Sequence, residues 1–308
     1  MIATTNHKFN MDNIIYYLDA DDLGNEFHMH RNVLLSLLDN NFISNEIVIY
    51  CLSDRSFLYT KIFKNVFCYE EVGNLEEIKI TCDAKFNKDF IVLKNFDICF
   101  SIWEIWRNNG GFYNTLNKNI FITKPNIFGY EKLNYFNNSN HTNTFKNLVT
   151  AIKYLDQIPK FENEKFIVYH HRIKNDTLWD GDNKILDAIV SYADEYNIVI
   201  FSRKDLQINN LKIHTTSNLQ EFATYINNQN CMAVISVWSG GGQFASYCSN
   251  SKLFMYFHPT QLQYSLSDEQ LNDYIKSENA FDFAQFTNVD RKFIDVQDII
   301  NDNIKIMF

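Results

Sequence analysis

Short apolar runs alternate with helically spaced apolar residues along most of the chain. Continuous runs rich in β-branched and aromatic residues predict strands, and apolar residues three and four positions apart predict helices. The predicted strands of the first half span residues 14–18, 47–50, 66–69, 90–93 and 119–123. The predicted helices between them span residues 27–38, 54–63 and 96–106. This alternation is typical of a parallel sheet covered by helices.

A second series of the same kind follows a polar stretch with one proline and one glycine at residues 124–144. It opens with a predicted helix at residues 145–157. Its strands are predicted at residues 165–171, 197–201, 211–214, 232–238 and 252–257, with helices at residues 183–195 and 219–227 and a short helix ending at residue 248. The tail at residues 295–308 looks helical and could pack back on either domain, including the N-terminal one.

The two series predict an α/β fold with two Rossmann-like domains, parallel sheets and a cleft between the domains. We place the N-terminal domain at residues 1–140 and the C-terminal domain at residues 141–308. Ligands of open α/β sheets bind beyond the carboxyl ends of the strands. The loops after Leu18, His170 and Trp238 are therefore where a functional site is expected.

Composition narrows the function classes. The chain has 37 acidic and 28 basic side chains among 308 residues, a formal charge of −9, and no basic stripe, which argues against nucleic-acid binding. Hydrophobic residues at 46% exclude a largely disordered chain. No apolar run reaches the length of a membrane span, and the start lacks the apolar core of a signal peptide, so we expect a cytoplasmic protein, or one of the host cytoplasm if the source is viral. Six well-separated cysteines indicate buried free thiols.

The most informative local pattern is an apolar strand that runs into Ser239, Gly240, Gly241 and Gly242 and then into a short helix. Glycines allow the backbone to approach a ligand closely, and the free N–H groups of a helix start attract anions. The pattern favours a phosphate or diphosphate site. The alternative is a tight strand-to-helix turn without a ligand, because neither a phosphate-loop lysine motif nor a full dinucleotide fingerprint is present.

A cation follows another strand of the same predicted sheet. Arg172 comes directly after His170 and His171, and its planar guanidinium suits phosphate oxygens. Consecutive strand residues point to opposite faces, so one of the two histidines is expected to face the ligand. Two adjacent histidines without a third ligand predict no metal site. A structural salt bridge is the alternative role for Arg172.

The first loop also carries polar residues. Asp19 and Asp21 form a D-x-D pattern, but only 18 residues precede it, too few for the nucleotide-binding subdomain that such a metal motif requires. Gly24 and Asn25 fit better as a backbone loop lining the predicted cleft, or as a helix cap.

Taken together, the LGN loop at residues 23–25, the H-x-R at residues 170–172 and the SGGG turn at residues 239–242 resemble the fucosyltransferase-like branch of GT-B glycosyltransferases. The resemblance implies inverting, metal-independent transfer from a nucleotide-diphosphate sugar, such as GDP-fucose, to a carbohydrate acceptor, with no further cofactor. It also implies that residues 1–140 form the acceptor domain and residues 141–308 the donor domain. Arg172 would hold the diphosphate, His170 would lie against the nucleoside, and the SGGG turn would bind phosphate. The family often has a second arginine directly after the first, where this chain has Ile173.

The resemblance also implies that Asn25 lies where donor and acceptor meet. An inverting transfer benefits from a base that takes the acceptor proton, and Asp22, Glu26, His28 and His30 are the candidates on the first loop and helix. We predict Arg172, Asn25, Glu26 and Asp22 as catalytic residues, with Gly24 in the donor site. The alternatives are a non-catalytic nucleotide- or glycan-binding protein with the same shell, or another α/β enzyme of phosphorylated small molecules.

Overall fold

The computed structural model describes residues 12–19, 43–70, 73–94, 151–172, 180–237, 239–248, 252–256, 291–305 and 308, together with positions 23, 26, 31, 34 and 38. The chain divides into two compact units, Met1–Lys153 and Tyr154–Phe308. The hydrogen bonds of two backbone N–H groups, one on each side of the boundary, mark the division. The N–H of Lys153 donates to the carbonyl of Phe57 in the first unit at 3.0 Å, and the N–H of Leu155 donates to Thr224 Oγ1 in the second at 2.9 Å.

The described part of the first unit contains a parallel sheet of four strands in the order β3-β2-β1-β4. The strands are β1 (Ile14–Tyr17), β2 (Val48–Leu52), β3 (Asn65–Tyr69) and β4 (Ile91–Lys94), and the helix α1 spans Leu75–Phe86. Every residue of β1 is buried because it is a central strand with both faces covered. On one face, the rings of Tyr17, Tyr50 and Tyr69 pack on each other with centroids 4.9–5.6 Å apart.

The second unit carries the larger sheet. Over its described ranges, six parallel strands are ordered β10-β9-β8-β5-β6-β7. The strands are β5 (Phe166–His171), β6 (Asn197–Ser202), β7 (Ile213–Thr216), β8 (Cys231–Val237), β9 (Lys252–Tyr256) and β10 (Arg291–Phe293). Numbered from β5, this order is 6-5-4-1-2-3, the doubly wound order of Rossmann folds. The chain turns from one half of the sheet to the other between β5 and β8, which places the topological switch point there.

Helices cover this sheet on both faces. They are α2 (Asp180–Ser191), α3 (Leu219–Ile226), α4 (Gly240–Cys248) and α5 (Val296–Ile300). The C-terminal helix α5 packs on α2 of its own unit, where Tyr192 Oη donates to the carbonyl of Ile299 at 2.7 Å. The tail therefore closes the core of the second unit, beside Ile185 and Ile189.

The predicted α/β class with two parallel-sheet units is confirmed, and several element predictions need correction. Residues 53–58 form a 3-10 helix followed by turns rather than a helix over 54–63. Residues 151–157 form turns and bends instead of the end of a helix. Helix α1 was not predicted. The predicted domain boundary at residues 140 and 141 lies outside the described residues.

Candidate functional site

Three strand ends of the second unit meet at one edge of the sheet. His171 at the end of β5 pairs with Ser202 at the end of β6, and His170 pairs with Ser236 of β8 on the other side. Arg172 directly follows β5, and Arg203 directly follows β6. Ser239 and the glycines of α4 follow β8, so the topology brings two arginines and the glycine-rich helix start to the switch point, where α/β folds bind ligands.

His170 is a buried neutral histidine at the centre of this edge. Its Nδ1 lies 2.9 Å from Ser236 Oγ, which in turn lies 3.1 Å from the carbonyl oxygen of Val237. Both contacts are satisfied when the Ser236 hydroxyl donates to the carbonyl and His170 Nδ1–H donates to Ser236, which leaves Nε2 as an acceptor. Burial, followed by the nearby charge of Arg172, lowers the pKa of His170 to about 3. The ring is therefore uncharged at neutral pH.

Aromatic rings and a glycine fix the plane of His170. The imidazole stacks on Phe201, with centroids 5.6 Å apart, and Phe222 of α3 lies at 5.9 Å. On the side of α4, a Cβ added at Gly241 would stand 2.3 Å from His170 Cε1. Any larger residue at position 241 would collide with the ring. The imidazole thus joins β5 to the first turn of α4, and its predicted contact with a nucleoside stays a prediction.

The second glycine of this turn is required for a different reason. A Cβ at Gly242 would stand 2.5 Å from the carbonyl oxygen of Val237, a backbone atom that cannot step aside. Ser239 Oγ donates to the same carbonyl at 3.3 Å, which ties the loop back to the end of β8. These contacts give the SGGG segment a packing role. A packing role is what the alternative interpretation, a tight strand-to-helix turn without a ligand, predicted. Helix α4 begins three residues after the end of β8, and the free N–H groups of a helix start attract anions.

Two arginines supply positive charge at this edge. Arg172 is half-buried and Arg203 is exposed. Both lie close enough to His170 to depress its pKa by Coulomb repulsion. Arg203 was not among the predicted site residues. Its position directly after the strand at residues 197–201 was the available signal, because residues at the carboxyl ends of parallel strands reach the ligand edge. It offers the second cation that Ile173 does not provide.

His171 faces the opposite side of the sheet, as the strand alternation predicts. Its Nδ1 lies 3.3 Å from Tyr169 Oη, which lies 3.2 Å from Tyr256 Oη at the end of β9. Burial lowers the pKa of His171, and the carboxylate of the buried Asp182 partly opposes that shift. Burial is also the largest cause of the raised pKa values of Tyr169 and Tyr256. This network is a polar layer under helix α2.

A polar pocket of about 260 Å³ is lined in part by Ser202 and Lys204, the residues on either side of Arg203 in the chain. It lies between the loop after β6 and the start of α3, and hydroxyl and amide side chains dominate its wall. Ser202, Gln207, Thr215, Thr216, Ser217 and Asn218 are its uncharged polar residues. Groups of this kind suit the hydroxyls of a sugar or ribose. Sequence reasoning missed the pocket, because its wall combines two loops that are separated along the chain.

Glu26 is the predicted catalytic residue of the first unit that the structure describes. Its side chain is 2% exposed, it forms an ion pair with Arg55, and its Oε1 accepts a hydrogen bond from Tyr59 Oη at 2.7 Å. Burial acts to lower the pKa of Arg55, but the adjacent carboxylate of Glu26 raises it, and the net pKa lies above the ordinary arginine value. Both carboxylate oxygens of Glu26 therefore have partners. This environment favours a structural role, and the predicted catalytic role remains a prediction.

The other predicted residues of the first loop are Asp22, Gly24 and Asn25, and with His28 and His30 they lie outside the described residues. Within the described ranges, no three His, Cys, Asp or Glu side chains gather in a group that could hold a metal ion. The helices that the structure describes include none that is long and apolar enough to cross a membrane.

No family model and no curated protein matches the chain. Solved structures do resemble it. A family 9 glycosyltransferase from Veillonella parvula is 12% identical, with a TM-score of 0.45 over 96% of this chain and 89% of that one. The E. coli heptosyltransferase WaaC with ADP is 10% identical, with a TM-score of 0.41 over 87% and 99%. The dodecameric, iron-containing glycosyltransferase TibC of E. coli is 9% identical, with a TM-score of 0.41 over 79% of this chain and 59% of its own. These neighbours are glycosyltransferases built on α/β folds, and the similarity is weak.

Proposed function

We propose that the chain is a glycosyltransferase that takes its sugar from a nucleotide-diphosphate sugar bound at the edge formed by β5, β6, β8 and the start of α4. One observation carries the proposal. Two arginines and a glycine-rich helix start surround a neutral histidine at the topological switch point of a Rossmann-type sheet. Positive charge and free N–H groups at that place suit a diphosphate.

The proposed chemistry uses this charge when the glycosidic bond breaks. The sugar leaves as an oxocarbenium-like species, and negative charge accumulates on the departing diphosphate. Arg172, Arg203 and the N–H groups at the start of α4 would stabilise that charge more strongly in the transition state than in the bound donor, which is the condition for catalysis. Loss of one such donor typically costs about 10²–10³ in rate. We further propose that transfer inverts the anomeric centre and needs no metal.

The donor, the acceptor and the base are finer proposals. GDP-fucose rests on the resemblance of the loops at residues 23–25, 170–172 and 239–242, and a glycan is the proposed acceptor. The polar pocket beside Arg203 is suited to the ribose. Asp22 and Asn25 remain the proposed catalytic residues of the first loop. We also keep the cytoplasmic location as a proposal.

A second candidate function is favoured by the surroundings of Glu26. Because both oxygens of that carboxylate have protein partners, no candidate base among the described residues is free to accept a proton. This favours a non-catalytic protein that binds a nucleotide or glycan in the same shell. Release of nucleotide from a nucleotide sugar in the presence of acceptor glycans would separate the two functions.

The test is a thermal-shift panel with GDP, UDP, ADP, dTDP and CMP on the wild-type chain and on Arg172→Ala. ADP is included because WaaC was solved with it. A ligand at 100 times its Kd stabilises the folded state by about 2.7 kcal/mol. We expect one diphosphate to stabilise the wild type and Arg172→Ala to weaken that nucleotide by about 10- to 100-fold, since charged hydrogen bonds contribute about 1.5–3 kcal/mol.

Lys165→Ala is the matched control, because Lys165 is an exposed cation at the opposite end of the same strand. It should bind nucleotide like the wild type. Equal binding by Arg172→Ala and the wild type, or no response of the wild type to any diphosphate, would overturn the proposal.

A further inference from the structure

Two cysteines of the first unit lie side by side on neighbouring strands. Cys51 of β2 is the register partner of Cys68 of β3. Directly paired residues of parallel strands point to the same face, and the strands run about 4.8 Å apart. A separation of that size falls within the Cα–Cα range of about 4.4–6.8 Å that a disulfide bond accepts. The backbone pairing therefore permits a disulfide bond between the two side chains.

The two thiols are neighbours in the strand register but differ in their exposure to solvent. Cys51 is fully buried and Cys68 is exposed. The neighbouring Cys51 thiol lowers the pKa of Cys68 to about 6, with a further contribution from Ser56 and against the opposing effect of partial burial. The same contact and burial raise the pKa of Cys51. The exposed sulfur is thus the thiolate of the pair, and the buried sulfur keeps its proton.

We propose that Cys51 and Cys68 form a reversible redox site that reacts with hydroperoxides. The Cys68 thiolate attacks the peroxide oxygen, the O–O bond breaks, and hydroxide or alkoxide leaves, so Cys68 becomes a sulfenic acid. Cys51 then attacks the sulfenic sulfur, an S–S bond forms, and the hydroxyl group leaves as water with the Cys51 proton. The two thiols lose two electrons and the peroxide gains them. A dithiol reverses the reaction by thiol–disulfide exchange.

Two other cysteines, Cys82 and Cys231, lack this arrangement. Burial raises the pKa of Cys82, which packs in the core beside Ile78. Cys231 is also buried. Reactivity follows thiolate character and exposure together, so Cys68 should react first among these residues.

The experiment is peptide mapping of the full-length chain after a short treatment with hydrogen peroxide. We expect one linked peptide pair that contains Cys51 and Cys68, lighter than the two thiols by two hydrogens and separated again by dithiothreitol. Absence of that linked pair while other cysteines oxidise would overturn the proposal. This measurement uses the wild-type chain and no nucleotide, so it is independent of the proposed transferase function.

Alkylation rates supply the second measurement. The rate of Cys68 labelling by iodoacetamide should rise with an apparent pKa near 6 in the wild type. In Cys51→Ser, which lacks the resolving sulfur, peroxide should leave a sulfenic acid at Cys68 that dimedone traps. Cys82→Ser is the control and should oxidise like the wild type. A labelling profile with a midpoint near the ordinary thiol value of about 8.5 would contradict the thiolate assignment.

Discussion

Glu26, Arg55 and Tyr59 form a buried polar cluster in the first unit. The ion pair between the carboxylate and the guanidinium has side chains 3% exposed on both sides, and the tyrosine hydroxyl donates to the second carboxylate oxygen. Burial and the adjacent carboxylate raise the pKa of Tyr59 well above its ordinary value, so it stays a donor. A buried pair of this kind adds little net stability, yet the loss of one charge leaves the other uncompensated.

We therefore expect Glu26→Gln to lower the free energy of unfolding by about 3–5 kcal/mol, because the buried Arg55 charge would lose the Glu26 carboxylate and keep the more exposed Asp54 at 3.8 Å. Tyr59→Phe removes one hydrogen bond to a charged group and should cost about 1.5–3 kcal/mol. Denaturant unfolding followed by circular dichroism measures both.

Glu46→Gln is the control for this prediction. Its carboxylate pairs with Lys64 at the surface, where the two side chains are 45% and 61% exposed, and such pairs contribute at most about 1 kcal/mol. If Glu26→Gln instead keeps wild-type stability and abolishes sugar transfer, Glu26 is the catalytic base and the structural role is wrong.

Some of the candidate site residues could be predicted from the sequence, and others could not. Arg172 and the SGGG turn were found because both follow apolar runs, and strand ends are visible in the pattern of one segment. Arg203 also follows an apolar run, but its place beside Arg172 and the partners of Glu26 depend on segments that are far apart along the chain. That information is set by register, such as His171 beside Ser202, and no single segment contains it.

At the scale of elements, strand β5 ends in two histidines that lie on opposite faces of the sheet, and helices cover both faces. His170 packs on α3 and α4, and His171 shares its face with Asp182 of α2. Both have a pKa below the ordinary histidine value because burial disfavours the charged ring. In the unfolded chain each titrates near 6.5.

The sign of the pH effect follows from that difference. Between about pH 6.5 and 3 the unfolded chain binds a proton at position 170 and the folded chain does not, so stability falls as the pH falls through this window. One such proton contributes about 1.4 kcal/mol per pH unit. We expect His170→Asn, which keeps a hydrogen-bond donor for Ser236, to flatten the slope of unfolding free energy between pH 6.5 and 4.5. Equal slopes in the variant and the wild type would show that the ring titrates normally in the folded state.

Element predictions succeeded where strands are buried on both faces and failed where helices are weakly patterned. β5 and β8 read directly as apolar runs. Helix α1 buries only Ile78 and Cys82, while Ile80 is 67% exposed, so its apolar residues do not follow one face. Asn74 caps its start by accepting from the N–H of Glu77. The residues at 53–58 tighten into a 3-10 helix, within which the Ser56 hydroxyl donates to the carbonyl of Ser53.

At the scale of the whole molecule, the second unit has what an independent domain needs. Its sheet, its covering helices and the C-terminal helix α5 close one core, which includes Ile167, Ile189 and Ile299. The proposed diphosphate cradle of Arg172, Arg203 and the α4 start lies entirely within this unit. Folding and donor binding should therefore reside in the same half of the chain.

We expect the fragment Tyr154–Phe308 to fold alone and to keep the nucleotide response of the full chain, because every group proposed to touch the diphosphate is retained. Thermal unfolding by circular dichroism, with and without the preferred diphosphate at 100 times its Kd, should show one cooperative transition and about 2.7 kcal/mol of added stability. The same fragment with Arg172→Ala is the control and should lose the response. A folded fragment that ignores the nucleotide would place essential donor contacts in the first unit, and the loop with Asp22, Gly24 and Asn25 would be the next place to substitute. A fragment without a cooperative transition would show that the core closed by α5 is not sufficient for folding.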